Sequence, residues 1–127
     1  MKSSDVFEAI ADWLESHGFN AGYKLQKRFW HETENSQLIR FMLIQNMSDG
    51  RSEEAFVDDS YRIVLISARN ETNVDDIDDL ASMIRNTMID DYKSGCITMM
   101  RPIGGGSSFM SENRTFFEIN FNTIISR

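Results

Sequence analysis

The stretch from Arg114 to Ser126 constrains the fold of this chain more than any other. Phe117, Ile119, Phe121, Thr123 and Ile125 recur on one face, while Phe116, Glu118, Asn120, Asn122 and Ile124 recur on the other. That period of two is the pattern of a long strand in a sheet buried on one side. The chain therefore closes by completing a sheet, and everything before it has to supply the partners and the cover.

At 127 residues, with 41% hydrophobic and 26% charged side chains, the chain is sized and composed for one domain with one core, residues 1–127. Acidic residues outnumber Lys plus Arg by 20 to 13, and the formal charge of −7 opposes tight wrapping of a polyanion such as DNA. The longest apolar runs, Phe41 to Ile44 and Ile63 to Ile66, fall far short of the ~20 residues that a membrane span needs. Met1 to Val6 lacks the apolar core and cleavage site of a secretory signal, so synthesis and residence in the cytoplasm are expected. Cys96 stands alone, which excludes an intrachain disulfide and favours a small core residue over a nucleophile. The sequons at Asn46, Asn70 and Asn113 carry no meaning without secretion.

Ser4 or Asp5 can cap a helix from about Asp5 to His17, in which Val6, Ile10, Trp13, Leu14 and His17 repeat at helical spacing before Gly18. Tyr23 to Trp30 mixes aromatic residues with Lys24, Lys27 and Arg28 and reads as a short strand at a sheet edge, its aromatic face turned inward. Leu38 to Met47 is β-compatible and ends in a Ser48-Asp49-Gly50 turn; Tyr61 to Ala68 is the next strand and is expected to pair with it. Asn73 caps a second helix that opens with Asp75, Asp76, Asp78 and Asp79 and buries Ile77, Leu80, Ala81, Ile84 and Met88. A strand from Cys96 to Arg101 is interrupted by Pro102, and Gly104 to Ser108 forms a flexible loop before the last strand. The order predicts an α+β fold, a mainly antiparallel sheet packed against two helices.

The residues offer little chemistry. Gly104 to Ser108 lacks the Lys-Ser/Thr ending and the following helix of a phosphate loop, and the aspartates from Asp75 to Asp79 lack a calcium-loop pattern and suit the helix dipole instead. Neither His17 nor His31 has a nucleophile context, and one cysteine with two separated histidines makes no metal set. The expectation is a protein that is not an enzyme and binds no cofactor or metal. Lys24, Lys27 and Arg28 with Tyr23, Phe29 and Trp30 form one basic, aromatic patch, which could meet an acidic face of a second copy.

Taken in order, Trp13-Leu14-Glu15-Ser16-His17-Gly18, Trp30-His31-Glu32, Phe41 to Asn46 with its glycine-containing turn, Tyr61 to Asn70, the second helix, the Gly104-Gly105-Gly106 loop and Asn113 to Phe121 resemble the tail terminator family of long-tailed, lambda-like bacteriophages. The resemblance spans nearly the whole chain and lies in the succession of pieces. The turn after Gln45 departs from it, reading Asn46-Met47-Ser48-Asp49-Gly50 where relatives tend to carry an Asn-Gly-Gly-like turn.

What the resemblance implies is a small α+β virion protein at the neck, assembled in the host bacterial cytoplasm. It would form a ring of six that caps the head-proximal end of the tail tube, ends polymerisation and offers a surface for head–tail joining. Implied partners are further copies of itself, the major tail tube protein, the head–tail connector or stopper and the tape measure protein, with genomic DNA passing unbound through the lumen. Polar, glycine-containing loops from Met47 to Asp59 and from Ile103 to Asn113 are the candidates for contact. The residues singled out are Trp30, Asp49, Gly50, Arg51, Asp58, Asp59, Gly104, Gly105, Gly106, Phe109 and Glu112, with Asp58, Asp59 and Glu112 as candidate lumen acids. The alternatives are another neck component of similar fold, a connector or tail completion protein, and more remotely a small host binding module.

Overall fold

The computed structural model describes residues 3–31, 38–47, 58–104 and 106–125. Along the chain these form α1 (Ser3–Ser16), β1 (Tyr23–Lys27), β2 (Arg40–Asn46), β3 (Asp58–Ile66), α2 (Asp75–Asp90), β4 (Ile97–Pro102), β5 (Ser107–Ser111) and β6 (Arg114–Ile125). The sheet runs β1-β2-β3-β6-β4, with β5 also paired to β6. Only β1 and β2 are parallel, so the sheet is mainly antiparallel and carries two helices, the α+β architecture expected.

The final strand organises the rest. Of its twelve residues, Phe116 to Ile124 pair with β3 on one side, while on the other Arg114 to Glu118 pair with β5 and Phe121 to Ile125 with β4. The β2–β3 pairing expected from their adjacency is present, Phe41 opposite Ile66 and Asn46 opposite Tyr61. Phe117, Ile119, Phe121 and Thr123 are buried on the face that meets the helices.

Both helices lie on that face. From α1 come Val6, Phe7, Ile10, Trp13 and Leu14, and from α2 Ile77, Ala81, Ile84 and Met88. They close over Met42, Ile44, Tyr61, Ile63, Leu65, Ile119 and Phe121, each large side chain contributing about 1.5–3 kcal/mol by leaving water. The indole Nε1 of Trp13 donates to the carbonyl of Asp91 at 2.9 Å, tying the end of α2 to α1. Burial between Phe7 and Phe121 pushes the Tyr61 phenol well above its usual range.

The structure corrects several expected boundaries. α1 starts at Ser3, so Ser4 and Asp5 sit inside its first turn, while Gly18, at φ +73°, takes the left-handed position that ends it. Val74 occupies the N-cap of α2 without a side-chain bond; Asn73 stands one residue earlier and accepts the Asp75 N–H at 3.3 Å. β1 stops at Lys27 because Arg28 adopts φ +72°, and Phe29 then points to solvent, 79% exposed, rather than inward. Asp58 and Asp59 belong to β3, not to a loop. Cys96 lies in the turn before β4, half-buried against the core rather than inside it.

The largest correction concerns residues 103–113. Ser107–Ser111 is a strand, joined to β6 by the two-residue turn Glu112–Asn113, both at positive φ, the geometry of a type I′ hairpin. Pro102 stands opposite Phe121 and Ser107 opposite Glu118, so β4 and β5 lie end to end along β6, with Ile103, Gly104 and Gly106 at the bulge between them. The Ile103 N–H still bonds the Asn120 carbonyl at 2.8 Å.

Candidate functional site

The face of the sheet turned away from the helices holds two of the sequence-predicted residues, Trp30 and Phe109. At the end where β6 begins, Phe41, Leu43, Val64, Ile66 and Phe116 form a second, smaller buried cluster. Trp30 covers it, its ring centroid 5.8 Å from that of Phe41 and 5.6 Å from that of Phe116, both edge-on. Phe109 of β5 stacks on Phe116 at 5.0 Å with the planes 3° apart, leaving Phe109 47% exposed. The aromatic row thus crosses four strands and opens to solvent at β5.

Arg114 anchors this row from below. It is 1% exposed, and its guanidinium carbon lies 5.4 Å from the ring centroids of both Trp30 and Phe41. Nη1 donates to the carbonyls of Ser67 at 2.7 Å and Ile39 at 3.0 Å, so the charge is spread over carbonyl dipoles and ring faces instead of water. The Ser67 hydroxyl accepts the Thr115 N–H at 2.9 Å, joining the end of β3 to the start of β6.

Farther along the same face the side chains turn polar. Arg62 donates through Nε to Gln45 at 2.7 Å and through Nη1 to Glu118 at 3.0 Å, and the Ser107 hydroxyl reaches Glu118 at 3.1 Å. One ladder of side chains therefore ties β2, β3, β6 and β5 together. Beyond it, Ser60 and Asn122 bond at 2.7 Å.

Of the expected site residues, Trp30 and Phe109 come together through Phe116, and Glu112 stands at the tip of the adjoining hairpin. Gly104 and Gly106 lie in the bulge, where the Gly104 carbonyl accepts from Arg85 of α2, so this segment is tied to the helix rather than freely looped. Gly106 has φ +83°, and a Cβ there would stand 3.3 Å from the Glu118 carbonyl. Asp59 is at the far end of the sheet, opposite Thr123, about 23 Å from Phe116 at strand rise, bonding Ser60 and Asn46. Asp58 begins β3 opposite Ile124. Asp49, Gly50, Arg51 and Gly105 lie outside the described residues. Arg114, Phe116 and the Arg62–Glu118 pair were not among the residues that the sequence pointed to; the one signal for them is that Phe116 and Glu118 share the second face of the alternating strand.

The groups examined for chemistry are engaged elsewhere. His17 lies 2.7 Å from an Asp91 carboxylate oxygen and stacks on Phe19, while the His31 N–H bonds the Gln26 side chain at 2.9 Å. Burial pushes the Cys96 thiol up, away from thiolate. Among the described residues, no group of three or more His, Cys, Asp or Glu could hold a metal ion, and no helix is long and apolar enough to cross a membrane.

A shallow groove of about 130 Å³ runs between α2 and the β5–β6 edge, with Asp78, Ser82 and Arg85 on the helix side and Phe117 and Ile119 at its floor. What the arrangement offers is a rigid face with an aromatic end and a polar middle, flanked by an open strand edge. A family model described as phage tail termination protein matches residues 3–127. No curated protein matches the chain.

Proposed function

The chain belongs to the phage tail termination protein family, a family of phage tail structural proteins, and on that premise we propose that six copies form a ring on the head-proximal end of the tail tube. The ring ends tube polymerisation and presents a surface for joining the head. The match over residues 3–127 carries this reading, and the sheet face turned away from α1 and α2 supports it, since capping asks for surfaces and not for reacting groups. Its partners are further copies of the chain, the tail tube protein, the head–tail connector and the tape measure protein, contacted through Trp30, Phe109, Glu112 and the segment containing Asp49, Gly50 and Arg51.

Six copies multiply a formal charge of −7, so the ring as a whole repels a genome sliding through its lumen. Asp58, Asp59 and Glu112 are the acids proposed to line it. Deleting the gene tests the whole reading: tails should run past their normal length, vary, and fail to join heads in electron micrographs. Tails of normal, uniform length attached to heads would refute it and favour another neck component.

A further inference from the structure

The sheet ends in two edges of opposite character. β1 presents the exposed Lys24 and Lys27 and pairs, among the described strands, with β2 alone. β5 carries no charge from Ser107 to Ser111, all five residues are exposed, Met110 by 73%, and among the described strands it pairs with β6 alone. Proteins that stay single blunt such an edge with charge, proline or a cover. Among the described residues β5 has none of these along its length, and its outer row of N–H and C=O groups is a template beside the α2 groove.

We propose that β1 of one copy adds to β5 of the next, antiparallel, so that the sheet runs on from subunit to subunit; this rests on the ring reading above and names its contact. Length, direction, faces and charge all point to that occupant. Both strands are five residues long. β1 is parallel to β2, and the pairs β2–β3, β3–β6 and β6–β5 are each antiparallel, so β1 and β5 run in opposite directions within one subunit. A rotation that continues the sheet around an axis keeps strand direction, which makes the new pair antiparallel. The contact is head-to-tail, the kind that closes into a ring.

The faces and charges agree with that placement. Leu25, opposite Met42, and Met110, opposite Thr115, lie on the helix side, so two apolar residues meet there. Lys24, opposite Phe41, and Phe109, opposite Phe116, lie on the other side, where the ammonium can cover the exposed ring. Lys27 is on the helix side, and its bond to Glu8 at 3.2 Å is an exposed pair of small worth. In the neighbour the groove beside β5 offers it Asp78 of α2, which lines that groove together with Arg85.

Single-cysteine additions test the contact. Lys24→Cys is mixed under oxidising conditions with Ser107→Cys, Phe109→Cys or Ser111→Cys, which share its face and cover the possible registers, with tail tube protein present and the native chain as control for Cys96. A disulfide-linked dimer should form in at least one mixture and in none of the variants alone. In parallel, Met110→Lys should abolish the ring in native mass measurements without shifting the melting temperature, because the side chain is exposed. Links within a single variant, or a ring that survives Met110→Lys, would overturn this contact while leaving the capping role standing. A native chain that stays monomeric with and without tube protein would remove both.

Discussion

On the face beneath the helices, Ile63, Leu65, Ile119 and Phe121 are closed off completely, while on the opposite face β2, β3 and β6 bury Phe41, Leu43, Val64, Ile66, Phe116 and Arg114 before passing to Arg62, Glu118 and Asn120. The alternation along β3 and β6 is equally regular on both sides. Among the described residues the difference is the cover: two amphipathic helices on one side, Trp30 on the other. A period of two divides a strand into faces, but the element that arrives to cover each face decides how much stability it contributes and how much surface it leaves for partners.

The sharpest break of this contrast comes from the covered face. Ile63→Ala or Phe121→Ala should lower unfolding free energy by about 3–5 kcal/mol, since neither helix can follow the lost volume. Urea unfolding measures it. A loss no larger than that of an open-face substitution at an exposed residue, such as Phe109→Ala, would show that the two faces share the load.

Arg114→Ala should come next, at about 3 kcal/mol, because it strips the carbonyls of Ser67 and Ile39 of their donor and removes the cation beneath Trp30 and Phe41. The loss should be accompanied by a change in Trp30 fluorescence. Unchanged emission would mean that Trp30 is held by its ring contacts alone.

The alternation of β6 and the amphipathic spacing of both helices were legible in the sequence because apolar side chains declare their face by period. β5 was not, because Ser107-Ser108-Phe109-Met110-Ser111 has no buried face to impose a pattern, and its turn places Glu112 at a positive φ that Gly or Asn would have signalled. Glycines at 104 and 106 read as a loop, whereas here they let an edge strand bulge. Of the expected surface residues, Trp30 and Phe109 meet, but only through Phe116, and Asp59 lies at the other end of the sheet. Arg114 was illegible as a core residue because a charge is buried only where tertiary carbonyls and rings receive it.

A smaller effect separates the two faces by pH. Arg40 at the start of β2 bonds Glu71 at 2.7 Å and Asp76 at 2.6 Å, and the Arg40 guanidinium holds both carboxyls below the usual carboxylate range. A lowered folded pKa contributes stability above the unfolded value, about 4.3 for Glu, and loses it as pH falls through the folded value. Glu71→Gln should therefore cost about 1 kcal/mol at neutral pH, the Arg40–Glu71 pair being mostly shielded, and the gap to the native chain should close in acid. A gap that does not change with pH would take the effect away from the Arg40 ion pair, since the Ala68 N–H bond to Glu71 is one that Gln can keep.

The smallest stability effect is expected where the open face reaches solvent. Phe109 gives up little on Phe109→Ala, under about 1 kcal/mol, because half of the ring is already exposed and its stack on Phe116 is a single pair. Phe116, covered from the other side by Trp30, stays in place, so the fold should melt as before. Yet the same truncation removes the exposed end of the aromatic row, the part of this face that a neighbour can touch without displacing anything. Assembly measured by native mass, or tail length in infected cells, should therefore suffer far more than thermal stability. The converse, a large melting shift with assembly intact, would make β5 a second piece of core and move the partner surface elsewhere on the molecule.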